Sequence, residues 1–327
     1  MSRSDFLALV QEWSQGYRKI LLLKAALELG IFEALRNEAD ADEVAKKIGG
    51  DRKITGIMLE CLAKEGLLEK KGERYVNSRI AQTHLCKNSS LPMLNFLKKH
   101  FYDLEIWLNL AEIAKKGAVE VKRENLFSKL VIHAMAEHAM MGELQWAVET
   151  VAQYEEFRRA RKMLDLGGGH GLYSVAFTQL NPNLEAVVFD LPEVVEKAKH
   201  YCKSSARVRF MSGDFFKDEI GGGYDFIFSS CNPAGKNSAM FPKICNALNS
   251  GGIYANKQFF WDDCSLDLLD LEWNLWNFGI EKGEKRFTFK GDLSLDEYLK
   301  ELEKHDFEIL GIHSYGDQKM IVARKTK

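Results

Sequence analysis

The octapeptide LDLGGGHG (164–171) joins an apolar run to a segment of helical spacing. It sets Gly167, Gly169 and Gly171 where a backbone must turn tightly and approach a ligand with no Cβ in the way. A nucleotide-like cofactor is implied. Asp190 closes the next apolar run about 20 residues on, where a carboxylate accepts two hydrogen bonds from a ribose diol. That spacing alone suits NAD equally well. The distinguishing feature is a third acidic position: Gly213-Asp214-Phe215-Phe216 follows another β-rich run and sets an acceptor for an adenine amino group beside aromatic walls.

These residues need strands that deliver loops to one edge of a sheet. KMLDL (162–166), EAVVFD (185–190), RVRFM (207–211), YDFIFS (224–229) and GIYANKQFF (252–260) read as such strands, separated by stretches long enough for crossover helices. An α/β fold is therefore predicted, with a Rossmann-like, doubly wound, mostly parallel sheet over 159–327. Ser294 and Glu297 make a capping box before a helix through about residue 305, and DFEILGIHSY and KMIVAR read as two closing strands. Before residue 160 the apolar residues recur at helical spacing, as in Ile20, Leu23, Ala26, Leu27 and Ile31.

Within 1–105, ADADEVAKKIGG, DRKITGIMLECLAKEGLLEK and KGERYVNS read as helix, helix and a β-hairpin wing, an otherwise all-helical winged-helix domain. Its presumptive recognition helix sets Arg52, Lys53 and Lys64 against Glu60 and Glu65, too little charge for phosphates, so dimerisation or scaffolding is the expected role. Residues 5–35 and 95–115 carry more apolar helical surface than such a module covers, including Trp13, Leu21, Leu22, Phe101, Tyr102 and Trp107. A homodimer follows. Residues 106–158 read as a helical linker in which Met135, His138 and Met141 share a face and contribute to a substrate pocket.

The 327 residues carry 45 Lys and Arg against 47 Asp and Glu, so a net charge of -2 gives no field that would hold nucleic acid or anionic lipid. The start of the chain lacks a signal-peptide pattern, and no apolar run reaches the roughly 18 residues that span a bilayer, so no membrane insertion is expected. Cys61, Cys86, Cys202, Cys231, Cys245 and Cys264 are scattered without metal-ligand spacing, which argues for no metal and for a reducing cytoplasm.

LDLGGGHG, VVFDLPEVVEKAK (187–199), RVRFMSGDFF (207–216), YDFIFSS (224–230) and ALNSGG (247–252), in this order and spacing, resemble the small-molecule O-methyltransferases that use S-adenosylmethionine. These are the caffeate and hydroxyindole O-methyltransferases and their prokaryotic relatives. GYRKILLLKAALELGIFEAL (16–35) with the winged-helix pattern resembles that family's dimerisation domain, so the likeness covers nearly the whole chain. The resemblance implies that Gly167, Gly168 and Gly169 pack on the methionine part of S-adenosylmethionine and that Asp190 holds the ribose hydroxyls. By the same resemblance Leu191, Asp214, Phe215 and Phe216 surround the adenine, and Ser230 contacts the cofactor after the fourth strand.

One departure constrains the chemistry. The family usually follows its fourth strand with a histidine-aspartate pair, the histidine being the general base, whereas this chain reads SSCNPAGKNSAMF (229–241). The window Cys231 to Ala234 holds no base, and Gln258 stands where the fifth strand often carries an acid. Methyl transfer is an in-line displacement that needs a base only when the nucleophile arrives protonated. A thiol, an acidic enol or phenol, or an electron-rich ring carbon is therefore an eligible acceptor, with S- or C-directed transfer open alongside O-methylation. His138 is the remaining candidate base, though a lone histidine on a helix reads more readily as structural. Lys236 reads as solvated, and Cys231 as a small pocket wall with no base or cation near it in sequence. Trp261, Trp273, Trp276 and Phe278 either present a flat apolar pocket to an aromatic or conjugated acceptor or serve dimer and core packing, and Trp276 and Asn277 are taken as lining the substrate pocket. The alternative function is a homologue that keeps the cofactor without transferring methyl, as a ligand sensor or for other chemistry.

Overall fold

The computed structural model describes residues 3–122, 126–203, 205–263, 267–277, 279–284 and 287–327. The chain divides into two compact units, one ending at Phe101 and the other running from Tyr102 to Lys327. The division falls inside the helix Leu94–Leu108, and residues 106–158 lie within the second unit.

In the first unit a 27-residue helix, Arg3–Leu29, leads into the helices Ala41–Ile48 and Arg52–Lys64 and the strands β1 (Ala39–Asp40), β2 (Leu68–Lys71) and β3 (Arg74–Asn77). Asp40 and Asp51 start the two shorter helices by accepting the backbone N–H groups of Glu43 and Ile54. Gly72, at φ 61°, makes the turn of the β2–β3 hairpin. β1 joins β3 on its other edge, so the wing is a three-stranded sheet and the domain is not all-helical. Leu59 and Leu62 bury against Ile31, Phe32 and Tyr75, while Ile54 and Ile57 stay exposed and Arg52 pairs with Asp42. Along the first helix Phe6, Val10, Trp13, Tyr17 and Leu21, spaced by three or four residues, are exposed. Phe101, expected in the same patch, is buried, and Tyr102 and Trp107 are half-buried.

The second unit has a seven-stranded sheet. After a short β4 (Val119–Glu120), β5 (Lys162–Leu166), β6 (Glu185–Asp190), β7 (Val208–Ser212), β8 (Tyr224–Ser230) and β9 (Leu248–Phe259) follow in turn. β10 (Trp276–Asn277) pairs with β4, and the hairpin β11 (Phe307–Tyr315) and β12 (Gln318–Lys325) ends the chain. The sheet order is β11-β12-β9-β8-β5-β6-β7, parallel from β7 to β9 and antiparallel where β12 meets β9. The order reverses at β5, so the loops after β5, β6 and β8 meet at one edge, where α/β sheets bind ligands. One face packs under Val148, Val151, Phe157 and Phe177, the other under Phe241, Ile244, Tyr298 and Leu302. No described helix is long and apolar enough to cross a membrane.

Candidate functional site

At the end of β5 the chain turns through Gly167, Gly169 and Gly171, with φ of 65°, 55° and 72°, a conformation that costs an L side chain strain. The N–H groups of Gly167 and Gly168 donate to Phe189 O (2.8 and 3.2 Å), and that of Gly169 donates to Asp190 Oδ2 (2.9 Å). Leu172 N–H goes to Nδ1 of His170 (3.1 Å), a ring that burial pushes down to about 4 and so keeps neutral. The following helix, Leu172–Leu180, receives at its N-terminus the protein's own carboxylate: Asp165 accepts from the Ser174 hydroxyl (2.8 Å) and from the Ser174 backbone. Burial raises Asp165 to about 7 despite those bonds.

A pyrophosphate needs loop N–H donors and a helix N-terminus. Here the N–H groups of Gly167, Gly168, Gly169, Gly171 and Leu172 are already engaged, which argues against a dinucleotide and for a nucleoside ligand without phosphate. Gly169 is buried, yet nothing lies within 4 Å of the position its Cβ would take. A cradle stands beside it. Asp190, also buried, accepts from Leu191 N–H (2.7 Å) as well as from Gly169, which fixes the carboxylate beside the glycine turn. After β7, Asp214 caps Phe216 N–H (3.0 Å) and pairs with Lys217 (2.8 Å), while the Phe215 and Phe216 rings meet edge to face at 4.9 Å. Ser230 is half-buried at the end of β8 and hydrogen-bonds Tyr173. Asn232 ties this loop to the glycine turn, donating to Leu166 O (2.6 Å) and standing where a Cβ on Gly167 would meet it at 2.7 Å.

The predicted helix carrying Met135, His138 and Met141 is broken. Ile132–His138 runs into a π-helical turn, Ala139–Glu143, before the helix Leu144–Ala152, and Gly142 adopts φ 118°. Met135 and Met141 are exposed. In a regular helix residues five apart point about 140° away from each other. The wider turn instead brings His138 Nδ1 to 3.1 Å from Glu143 Oε2. Glu143 is buried and also accepts from Tyr173 OH (3.2 Å) and from the ammonium of Lys257. Burial pushes the Glu143 carboxyl up, but His138 and Lys257 outweigh it and hold the group well below the usual carboxylate range.

Lys257 was not anticipated. It is 1% exposed near the C-terminal end of β9, donates to Gln318 Oε1 (2.9 Å) and lies 3.7 Å from Cys231 Sγ. A lysine inside the otherwise uncharged run GIYANKQFF was the available signal, because a buried ammonium requires a counter-charge. Cys231, held at φ 48°, therefore does have a cation beside it, contrary to expectation, although burial pushes its thiol up. Strand alternation turns Gln258 to the opposite face, where it donates to Asn256 Oδ1 (3.0 Å). Lys236 is not solvated but 2% exposed, bonded to Phe259 O (2.6 Å) and Asp292 (3.1 Å).

Trp276 and Asn277 have their contacts elsewhere. Trp276 is buried against Trp273 (5.3 Å between ring centroids) with Ile106, Ile113 and Leu126, and Asn277 donates to Glu120 of β4 (3.3 Å). Trp276 and Asn277, expected in the substrate pocket, make these contacts with the core and with β4 instead, and Trp261 is half-buried. Phe278 and Cys264 lie outside the described residues.

Residues 118–231 match the family model of the O-methyltransferase domain, and residues 11–87 that of the O-methyltransferase dimerisation domain. An uncharacterized protein of Methanocaldococcus jannaschii is 41% identical over 95% of this chain and 87% of its own length. Acetylserotonin O-methyltransferase of Bos taurus is 31% identical over 65% of this chain and 68% of its own. The solved structure of human N-acetylserotonin methyltransferase in complex with SAM shares the fold, with a TM-score of 0.78 at 22% identity over 100% of both chains. A dimerisation module, a glycine turn with a strand-end carboxylate and sequence identity to such an enzyme over two thirds of its length converge: the chain belongs to the S-adenosylmethionine-dependent O-methyltransferase family.

Proposed function

We propose that the protein transfers the methyl group of S-adenosylmethionine to a small aromatic or conjugated acceptor, working as a homodimer in the cytoplasm. The observation that carries this reading is the glycine turn. The N–H groups of its four glycines are engaged within the protein, while Gly169 leaves a cradle open beside the Asp190 carboxylate. Such a site suits a nucleoside that carries a sulfonium rather than phosphates. In this reading Gly167, Gly168 and Gly169 face the methionine part, Asp190 holds the ribose, Leu191, Asp214, Phe215 and Phe216 surround the adenine, and Ser230 borders the sulfur end. When bound, the cofactor supplies an electrophilic methyl group. The chain's own share is to align the acceptor with it, a task for Met135, His138, Met141 and Cys231. The exposed stripe from Phe6 to Leu21 supports a second copy as the partner of the first helix.

The test combines calorimetry with S-adenosylhomocysteine and incubation of the protein with methyl-labelled S-adenosylmethionine and a small-molecule extract of its source cells. Micromolar binding and a labelled product are expected. Binding without any labelled product would favour the sensor alternative, and absence of binding at millimolar concentration would end both.

A further inference from the structure

We propose that Asn232 is a positioning residue for methyl transfer: its side-chain amide staples the loop after β8 to the glycine turn and so fixes the distance between the acceptor and the methyl group. The inference rests on the methyl-transfer reading, in which Ser230 and Cys231 border the reacting atoms and the glycine turn holds the cofactor.

The amide is buried and uses its whole bonding capacity. Nδ2 donates to Leu166 O at the end of β5 (2.6 Å) and to Ser229 Oγ of β8 (3.0 Å), while Oδ1 accepts the N–H groups of Ala234 (3.0 Å) and Gly235 (3.1 Å). The oxygen therefore folds the loop on itself, and the nitrogen ties the folded loop to the turn. Contact with the turn is close, since Nδ2 lies 2.7 Å from where a Cβ on Gly167 would stand. Next to it Cys231 has a φ of 48°, a conformation that strains an L residue and persists only where neighbours fix the backbone.

Each side of the staple is anchored by other means. The turn hangs on β6 through the N–H groups of Gly167, Gly168 and Gly169, which donate to Phe189 O and to Asp190. The far part of the loop hangs on β9, where Gly235 O accepts from Tyr254 OH (3.2 Å) and Asn256 Nδ2 (2.7 Å), and the Lys236 ammonium donates to Phe259 O (2.6 Å). Cutting the staple should thus leave cradle and loop folded and loosen only the spacing between them. Methyl transfer needs acceptor atom, methyl carbon and sulfur in line, and a misplacement of about 1 Å costs up to about 10²-fold in rate. In that step the acceptor's electron pair forms the new bond, the C–S pair stays on sulfur, the acceptor's proton leaves to water, and Asn232 exchanges nothing.

Two variants of the full-length protein cut the staple. Asn232→Ser keeps an oxygen for the Ala234 and Gly235 N–H groups but is too short to reach Leu166 O. Asn232→Asp keeps those acceptors, and its carboxylate opposes Leu166 O until protonation gives it an O–H that donates there again. Burial beside a carbonyl raises such a carboxyl above its usual range, and none of the groups that Asn232 bonds titrates. At about pH 8 both variants should bind S-adenosylhomocysteine within about threefold of wild type in calorimetry, while labelled-methyl transfer to the cell extract at saturating S-adenosylmethionine falls about 10–100-fold. At about pH 6 the rate of Asn232→Asp relative to wild type should recover to within about threefold, and that of Asn232→Ser should stay low. Thermal unfolding checks that each variant folds, and either one decides alone. A rate within about tenfold of wild type at pH 8, a loss of affinity that matches the loss of rate, or no recovery of Asn232→Asp on acidification would overturn the assignment. A wild type that binds S-adenosylhomocysteine but transfers no label would overturn the methyl-transfer reading and the staple's role with it. That case is distinct from failure of the staple alone, in which wild type and variants all transfer label.

Discussion

Alanine at Gly169 and alanine at Gly171 should produce opposite patterns of damage. Both glycines have positive φ, 55° and 72°, so either substitution carries about 1–2 kcal/mol of backbone strain. At Gly169 that is the whole expected folding cost, because the new Cβ meets nothing within 4 Å. In a unit of this size it amounts to a fall in melting temperature of about 2–8 °C. At Gly171 the Cβ would stand 2.7 Å from Cys202 Sγ and 3.3 Å from Val188, so overpacking adds about 1–3 kcal/mol and the fall should be clearly larger. Ligand binding should rank the other way. The methyl at position 169 enters the cradle proposed for the methionine part, so Gly169→Ala should weaken S-adenosylhomocysteine by at least about tenfold, or 1.4 kcal/mol. Gly171 points into the protein, so the folded fraction of Gly171→Ala should bind within about threefold of wild type. Calorimetric titration beside thermal unfolding measures both quantities on the same samples. Wild-type affinity in Gly169→Ala would refute the placement of the cofactor in that cradle, however the melting temperatures fall.

Asp190→Asn keeps the shape but turns an amide towards one of the N–H groups it now accepts, and should weaken S-adenosylhomocysteine by about 1.5–3 kcal/mol, an effect read by the same titration. Asp165, raised by burial to about 7, favours folding while protonated in the native state. Its contribution is full below about pH 4 and is lost as pH rises to about 7, on the order of 4 kcal/mol in all. Urea titrations should therefore show stability falling over that interval, and Asp165→Asn should flatten this part of the profile. Replacing Trp13 and Leu21 by Asp should convert a dimer to a monomer in light scattering at micromolar concentration, and a wild-type monomer there would contradict the homodimer.

What the sequence determined by itself were the features that depend on local pattern. Five strand runs separated by crossover-length segments dictate a doubly wound sheet, and β5 and β6 begin and end where KMLDL and EAVVFD do, each run being mostly apolar. The Ser294–Glu297 capping box forms as its spacing requires. The glycine turn and the strand-end carboxylate were equally legible, since both are short motifs on consecutive elements. Tertiary structure alone decided what depends on residues far apart in sequence. Nothing local relates Lys257 to Glu143, 114 residues away, or Lys236 to Asp292, and reading each lysine by itself leaves it a surface charge. Regular helical periodicity puts His138 and Glu143 on different faces, so their contact follows only from the π turn at Gly142. Phe101 and Trp276 read as candidates for an exposed patch and a pocket wall because hydrophobicity is visible in sequence. Which neighbours cover it is not, since burial is fixed by the packing of the whole chain.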